Sequence, residues 1–210
     1  MSTSLSSITR PARPTAPHEV WRELCWVSEQ LAVSGDLPMS RDAAHEQLAL
    51  WEAAGITDVF DMRGECDDTD FIHANSRICS HWFGVDDNGG KRSDAWFVSL
   101  TEKCAEVLAD PERKVLVHCH MGVNRGPSAL YAVMLVLGWN HLDALRAIRN
   151  ARPIAGIIYA PDAVRWHATA QEKSVEEIAV MVDDVEQWLD RNYLDLAYVI
   201  RSIGNRIARI

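Results

Sequence analysis

The sequence predicts an α/β protein: a mostly parallel central sheet flanked by helices, with a helical extension at the C-terminus. Short apolar runs of strand length alternate with segments of helical period along most of the 210 residues. One run, Val115-Leu116-Val117, is continuous and largely β-branched, as in a strand covered on both faces. A short glycine-containing loop leads from it into an apolar run of helical length, Ala129 to Leu137. Strands alternating with helices give a parallel sheet with right-handed crossovers, and such sheets hold ligands beyond the C-terminal ends of their strands.

Trp26-Val27 and Leu31-Ala32-Val33 read as a hairpin at a sheet edge. Ser40 stands where an N-cap belongs, Ala44, Leu48 and Trp51 repeat at helical spacing, and Gly55 marks the stop. Ile56 to Phe60 is a strand, running into Asp61-Met62-Arg63-Gly64-Glu65. Residues 66–76 are polar and acidic, a connection with a short helix, and Ile78 to Val85 is the next strand. Ser93 caps a helix carrying Trp96, Phe97, Leu100, Cys104 and Leu108 on one face, ending near Asp110-Pro111. Gly138 closes the helix after Val115–Val117, Asn140 opens another over Leu142, Leu145 and Ile148, and Pro161 opens a short one.

From Ser174 the pattern becomes purely helical. Ser174 and Glu177 have the spacing of a capping box, followed by Val175, Ile178, Met181, Val182, Val185 and Leu189. A second helix is expected from about Tyr193, with Leu196, Ile200, Ile203, Ile207 and Ile210 on one stripe. The division expected is a disordered tail over 1–20, a catalytic domain over 21–171 and a helical extension over 172–210. That extension packs onto the domain or, ranked second, offers residues 174–210 to a homodimer or partner.

The formal net charge of −9 argues against nucleic-acid binding and against recruitment by anionic lipid, and no apolar run is long enough to span a bilayer. Cys25, Cys66, Cys79, Cys104 and Cys119 are odd in number with no Cys-x-x-Cys spacing, as in reduced thiols of a cytoplasmic protein. His118, Cys119 and His120 could be taken for metal ligands, but on a strand the two histidines share a face that the cysteine does not. No other Cys/His cluster has ligand spacing, so neither metal nor cofactor is expected.

The chemistry concentrates in His118-Cys119-His120-Met121-Gly122-Val123-Asn124-Arg125. A strand, a tight loop and a helix N-terminus in that order make an anion site, since loop amides point inward and the helix dipole favours negative charge. Residues His120 to Asn124 supply the amides, Gly122 lets the loop curl, and Arg125 offers a planar fork to two oxygens of a tetrahedral oxyanion. Cys119 lies beneath, where the same field is expected to lower its pKa and make it a nucleophile.

This His-Cys-X5-Arg run resembles the signature loop of the cysteine-dependent phosphatases, and its surroundings resemble the dual-specificity branch. The resemblance covers roughly residues 22–171. It implies a phosphocysteine intermediate, Cys119 as nucleophile, Arg125 and the loop amides as phosphate ligands, and His118 supporting loop and thiolate by hydrogen bonds. It also implies a general acid on a loop well ahead of the cysteine: in Phe83-Gly84-Val85-Asp86-Asp87-Asn88 the match is Asp87, with Asp86 next to it, and Asp94-Ala95-Trp96-Phe97 follows as in the family. Arg63 either meets substrate anions or pairs with Asp61 or Glu65. Cys66 reads as a passive thiol.

The sequence departs from the family after the arginine. The usual Ser or Thr, whose hydroxyl helps the cysteine leave, is Gly126 here, and Ser128 matches a later position. Formation of phosphocysteine is expected to be intact and its hydrolysis slow. The X5 segment carries no lysine and 65–70 is acidic, so a phosphoprotein, phosphotyrosine ahead of phosphoserine or phosphothreonine, is the expected substrate rather than a polyphosphorylated inositide or an RNA end. The alternatives are a phospho-binding pseudophosphatase, favoured by Gly126, and a rhodanese-like sulfurtransferase, which would have no use for Asp87.

Overall fold

The computed structural model describes residue 14 and residues 16–208. Five strands, β1 (Cys25–Trp26), β2 (Leu31–Ser34), β3 (Asp58–Arg63), β4 (Cys79–Val85) and β5 (Val115–His118), form one sheet in the order β1-β2-β5-β3-β4. β1 pairs antiparallel with β2 as a hairpin, and every other pairing is parallel. β5 is central, bonded to both β2 and β3. Its period-two alternation sends Val115, Val117 and Cys119 into one apolar cluster and Leu116 into another. Two covered faces explain why the run carries no polar residue until His118.

On the Leu116 side lie α2 (Arg41–Ala53) and α3 (Thr69–Asn75), whose Leu48, Trp51 and Ile72 fill that face, while α1 (Pro17–Val20) belongs to a separate small cluster. The opposite face is covered by α4 (Asp94–Leu108), α5 (Arg125–Val136), α6 (His141–Ala151), α7 (Ala160–Ala170) and α8 (Val175–Arg191). α5 is buried around its circumference from Arg125 to Leu135, which is why its sequence is apolar rather than amphipathic. Ser93 and Asn140 accept the backbone N–H bonds expected of N-caps, and both arms of the Ser174–Glu177 capping box are made. Ser40 precedes α2 without accepting a capping bond.

The C-terminal segment shares this core. Val185 of α8 is buried in the main cluster, with Met181, Val182, Trp188 and Leu189 packed against it. α9 (Leu196–Ile207) packs against α1, and its Val199 and Ile203 are buried with Trp21, Val123 and Ile154. α9 begins at Leu196, where the stripe begins and three residues after the expected start near Tyr193, because the Asp195 carboxylate accepts the Tyr198 N–H and sets the N-terminus there. The expected tail over 1–20 falls largely outside the described residues. Pro17–Val20 within it is helical, with Val20 packed against the Trp21 cluster. Ile210 lies outside the described residues. Among those described, no helix is long and apolar enough to cross a membrane.

Candidate active site

β5 delivers Cys119 to the C-terminal edge of the sheet, and residues 120–124 turn back into α5. The turn depends on Gly122, whose φ is +61°. A Cβ there would also lie 2.5 Å from the Ser34 carbonyl oxygen, so a side chain is excluded twice. Beneath the loop sits Arg152, 1% exposed, which donates to the carbonyls of Gly122, Met121, Trp21 and Glu23 and to the Cys25 sulfur. Drawing the Met121 and Gly122 carbonyls downward helps turn the loop's N–H groups toward the bowl. Nothing local in the sequence marks Arg152 for this role, and sequence reading missed it.

The Cys119 sulfur is almost fully enclosed. Burial pushes its thiol up, while the backbone amides of Gly126 and Asn124 and the charge of Arg125 pull the other way, with Asp87 adding to the rise. This corrects the expectation of a lowered pKa: the loop field is present, but with the sulfur withdrawn from solvent, desolvation outweighs it.

Arg125 is held on two sides. Its Nη2 donates to Glu65 Oε1 at 2.7 Å and its Nη1 to Glu65 Oε2 and to the Val85 carbonyl. These contacts use the terminal Nη1/Nη2 edge of the guanidinium and leave the side edge open. There the buried Nε–H has no hydrogen-bond partner, with Asp87 Oδ2 at 3.6 Å. Glu65 is held down to about 2 by the Arg125 hydrogen bonds, against its partial burial. Glu65 was weighed only as a partner for Arg63, since sequence distance gave no hint that it reaches Arg125.

Asp87 lines the cavity over Cys119, and Asp86 does not line it. Asp87 Oδ1 accepts from Asn124 Nδ2 and from the Tyr159 hydroxyl, each at 2.7 Å. Of Asp86, the backbone carbonyl accepts from Arg92, which also binds Asn88 and Gly90 and stacks over the Tyr159 ring. Arg92 and Tyr159 therefore pin the acid-bearing loop. Asn124 is a hub, accepting from the Ile158 N–H and the Ser128 hydroxyl while binding Asp87. Ser128 also receives the Tyr159 N–H, which commits its hydroxyl to the frame.

Of the remaining predicted residues, Arg63 is buried and binds Asp61 on two nitrogens and Asp68 on one; burial opposes its charge and these carboxylates outweigh it. It pairs with acids and does not face the bowl. His118 is fully buried against the Trp51 ring. Neither of its ring nitrogens has a hydrogen-bond partner, and burial pushes its pKa down. The expected hydrogen bonds are not made: the ring lies against Trp51, with Asp61 Oδ1 at 3.8 Å from Nε2. His120 Nδ1 meets Asp36 Oδ2 at 2.6 Å on the rim, and Met121 packs toward the Trp21 cluster. At Gly126 a Cβ would lie 3.1 Å from the His118 carbonyl carbon, tighter than ordinary contact. The five cysteines are all unpaired. Among the described residues no group of three or more His, Cys, Asp and Glu is placed to hold a metal ion.

Above Cys119 opens a cavity of about 380 Å³, floored by Cys119, Asn124 and Arg125, edged by Asp87, Gly89 and His120, and walled by Met121, Val123, Ile158, Leu196 and Ile200.

No protein-family profile and no curated protein matches this sequence. Solved structures do. PTPMT1 aligns with a TM-score of 0.58 at 17% identity, over 71% of this chain and 98% of its own. A human tyrosine phosphatase-like serine/threonine/tyrosine-interacting protein aligns at 0.57 and 18%, over 71% and 99%. Tk-PTP in its active form aligns at 0.53 and 16%, over 80% and 99%. The fold is that of the dual-specificity branch of the protein tyrosine phosphatases, an α/β sheet with helices on both faces.

Proposed function

We propose that this protein is a cysteine-dependent phosphatase that hydrolyses phosphomonoesters, with phosphotyrosine in proteins ahead of phosphoserine and phosphothreonine. One observation carries the reading. Loop amides converge on the Cys119 sulfur, and beside it the Nε–H of Arg125 is buried without a partner on the edge of the guanidinium that Glu65 leaves open. A tetrahedral dianion supplies the missing acceptor.

In the mechanism this supports, Arg125 and the amides of residues 120–125 hold three phosphate oxygens. Cys119, its thiol proton passed to the bound phosphate dianion, attacks phosphorus in line as thiolate, the P–O bond to the leaving group breaks, and Asp87 gives its proton to the departing oxygen. Asp87, now a carboxylate, takes a proton from water, which attacks the phosphocysteine and releases phosphate and the thiolate. Asn124, Tyr159 and Arg92 position the acid; Glu65 and the Val85 carbonyl orient the arginine. The fold likeness to phosphatases supports the class of reaction, and the five unpaired thiols suit a reducing, cytoplasmic setting.

A second reading, a phospho-binding protein with little turnover, draws on Gly126 and on the upward-shifted thiol. Hydrolysis of p-nitrophenyl phosphate by wild type and Cys119→Ser, with chelator present, separates the two. Chelator-resistant activity that disappears with the serine supports the enzyme. Binding of phosphotyrosine peptide without turnover in the wild type overturns it in favour of the binding protein.

A further inference from the structure

We infer that α9 supplies a substrate-selecting wall: Ile200 and Leu196 pack against the aromatic ring of an aryl phosphomonoester whose phosphate rests on Cys119 and Arg125. The inference rests on the phosphatase reading of that site and adds its specificity.

α9 is seated where it can do this. Val199 and Ile203 are fully buried on its inner side, in the same cluster as Val123 of the phosphate loop and Trp21. Leu196 closes on Gly156, where even a Cβ would come within 2.9 Å of its Cδ2, and the Gly156 N–H in turn binds the Val123 carbonyl. The helix is therefore keyed to the loop itself. One turn on, Ile200 is 48% exposed although it is large and apolar, and it borders the cavity above Cys119.

The wall has one chemistry. Met121, Val123, Ile158, Leu196 and Ile200 are apolar, and among the described residues Arg125 is the one Lys or Arg that lines the cavity, so a second phosphate would find few partners above the floor. An apolar group directly joined to the phosphate is favoured. A phenyl ring enters such a space without freezing rotors, whereas an alkyl chain must give up its torsional freedom there. This selects the aryl ester.

The test is calorimetric titration of phenyl phosphate, hexyl phosphate and inorganic phosphate into the full chain carrying Cys119→Ser, with Ile200 intact, as Ile200→Ala and as Ile200→Gln. Ile200 is half exposed, so both variants keep the core, and thermal melts confirm it. The expected result is a loss of about five- to tenfold in phenyl phosphate affinity, a tenfold change being one decade in Kd. Inorganic phosphate affinity stays as it was. Equal losses for both ligands, or no loss for either, overturn the wall; equal losses for hexyl and phenyl phosphate overturn the aryl assignment. Absence of any phosphate binding in the parent overturns both the site and the wall. Absence of turnover in wild type sinks the enzyme reading alone, because the wall is read from binding.

Discussion

The Tyr159 hydroxyl donates to Oδ1 of Asp87 at 2.7 Å, joining the start of α7 to the loop after β4 across 72 residues of sequence. Asn124 donates to the same oxygen, so the carboxylate is oriented from two directions while Oδ2 stays beside Arg125. Removing one donor loosens the acid without removing it. Tyr159→Phe is expected to lower kcat/KM, which reports phosphocysteine formation, several-fold on phosphotyrosine peptide, about the worth of one hydrogen bond. The loss should shrink on p-nitrophenyl phosphate, whose leaving group scarcely needs a proton. An equal loss on both substrates would mean that Tyr159 acts on the fold rather than on the acid.

Asp86 and Asp87 are neighbours in sequence with opposite surroundings. Asp87→Asn is expected to reduce kcat on phosphotyrosine by about a hundredfold, the usual weight of a positioned general acid. Asp86→Asn should stay near wild type, since only the Asp86 backbone is engaged by Arg92. Steady-state rates of the two variants decide it, and a reversed ranking would move the acid role to Asp86.

At Gly126 there is no hydroxyl, and that of Ser128 is committed to Asn124 and the Tyr159 N–H. Slow release of phosphate from Cys119 should appear in rapid mixing as a burst of p-nitrophenol approaching one equivalent per chain, followed by a slower steady state. Gly126→Ser is expected to shrink the burst. It should also cost about 1 kcal/mol of stability, because its Cβ meets the His118 backbone at 3.1 Å. Linear product formation from the first turnover in wild type would contradict the slow second step.

Asp58 links acid to stability. Buried at the start of β3, it accepts from Arg113 Nε and Nη2, from Thr57 and from His81. Burial raises its pKa, but these bonds outweigh that and hold it at about 2. A carboxyl depressed in the folded state adds stability that is complete above the ordinary unfolded value and fades as pH falls toward the folded one. The urea midpoint should therefore hold from neutral pH down to about 5 and drop between about 4 and 2. In Asp58→Asn it should start lower and depend less on pH in that window. Unchanged acid sensitivity in the variant would assign the effect to other carboxylates.

The fold class was legible because strand and helix periods alternate cleanly and because β5 announces its two-sided burial with Val115-Leu116-Val117. The loop proposed to hold phosphate was legible because its residues are contiguous: Cys119, Gly122 and Arg125 lie within one turn of chain. What sequence alone leaves open is made by distant segments. Arg63 next to both Asp61 and Glu65 admits either partner, and only the path of the loop after β3 sends Glu65 to Arg125. Tyr159 and Arg152 sit in an irregular stretch after α6 where no period marks a facing element. For Cys119 the local signals, amides and a helix dipole, argue toward thiolate; the opposing desolvation comes from everything packed around it and has no local signature. The stripe on α9 showed a helix with an apolar side but not that part of that side borders a cavity.

Arg152 also bears on the order in which the molecule can be assembled. Its guanidinium ties Trp21, Glu23 and Cys25 to Met121 and Gly122, and the bond to the Trp21 carbonyl spans 131 residues. Contacts of such separation form late, after the intervening chain has already collapsed. A nascent chain emerging from the ribosome can build β1 to β5 and still hold a slack, incompetent loop until residue 152 arrives to fasten it. The last fastening of the loop is thus withheld until the chain has been made through residue 152.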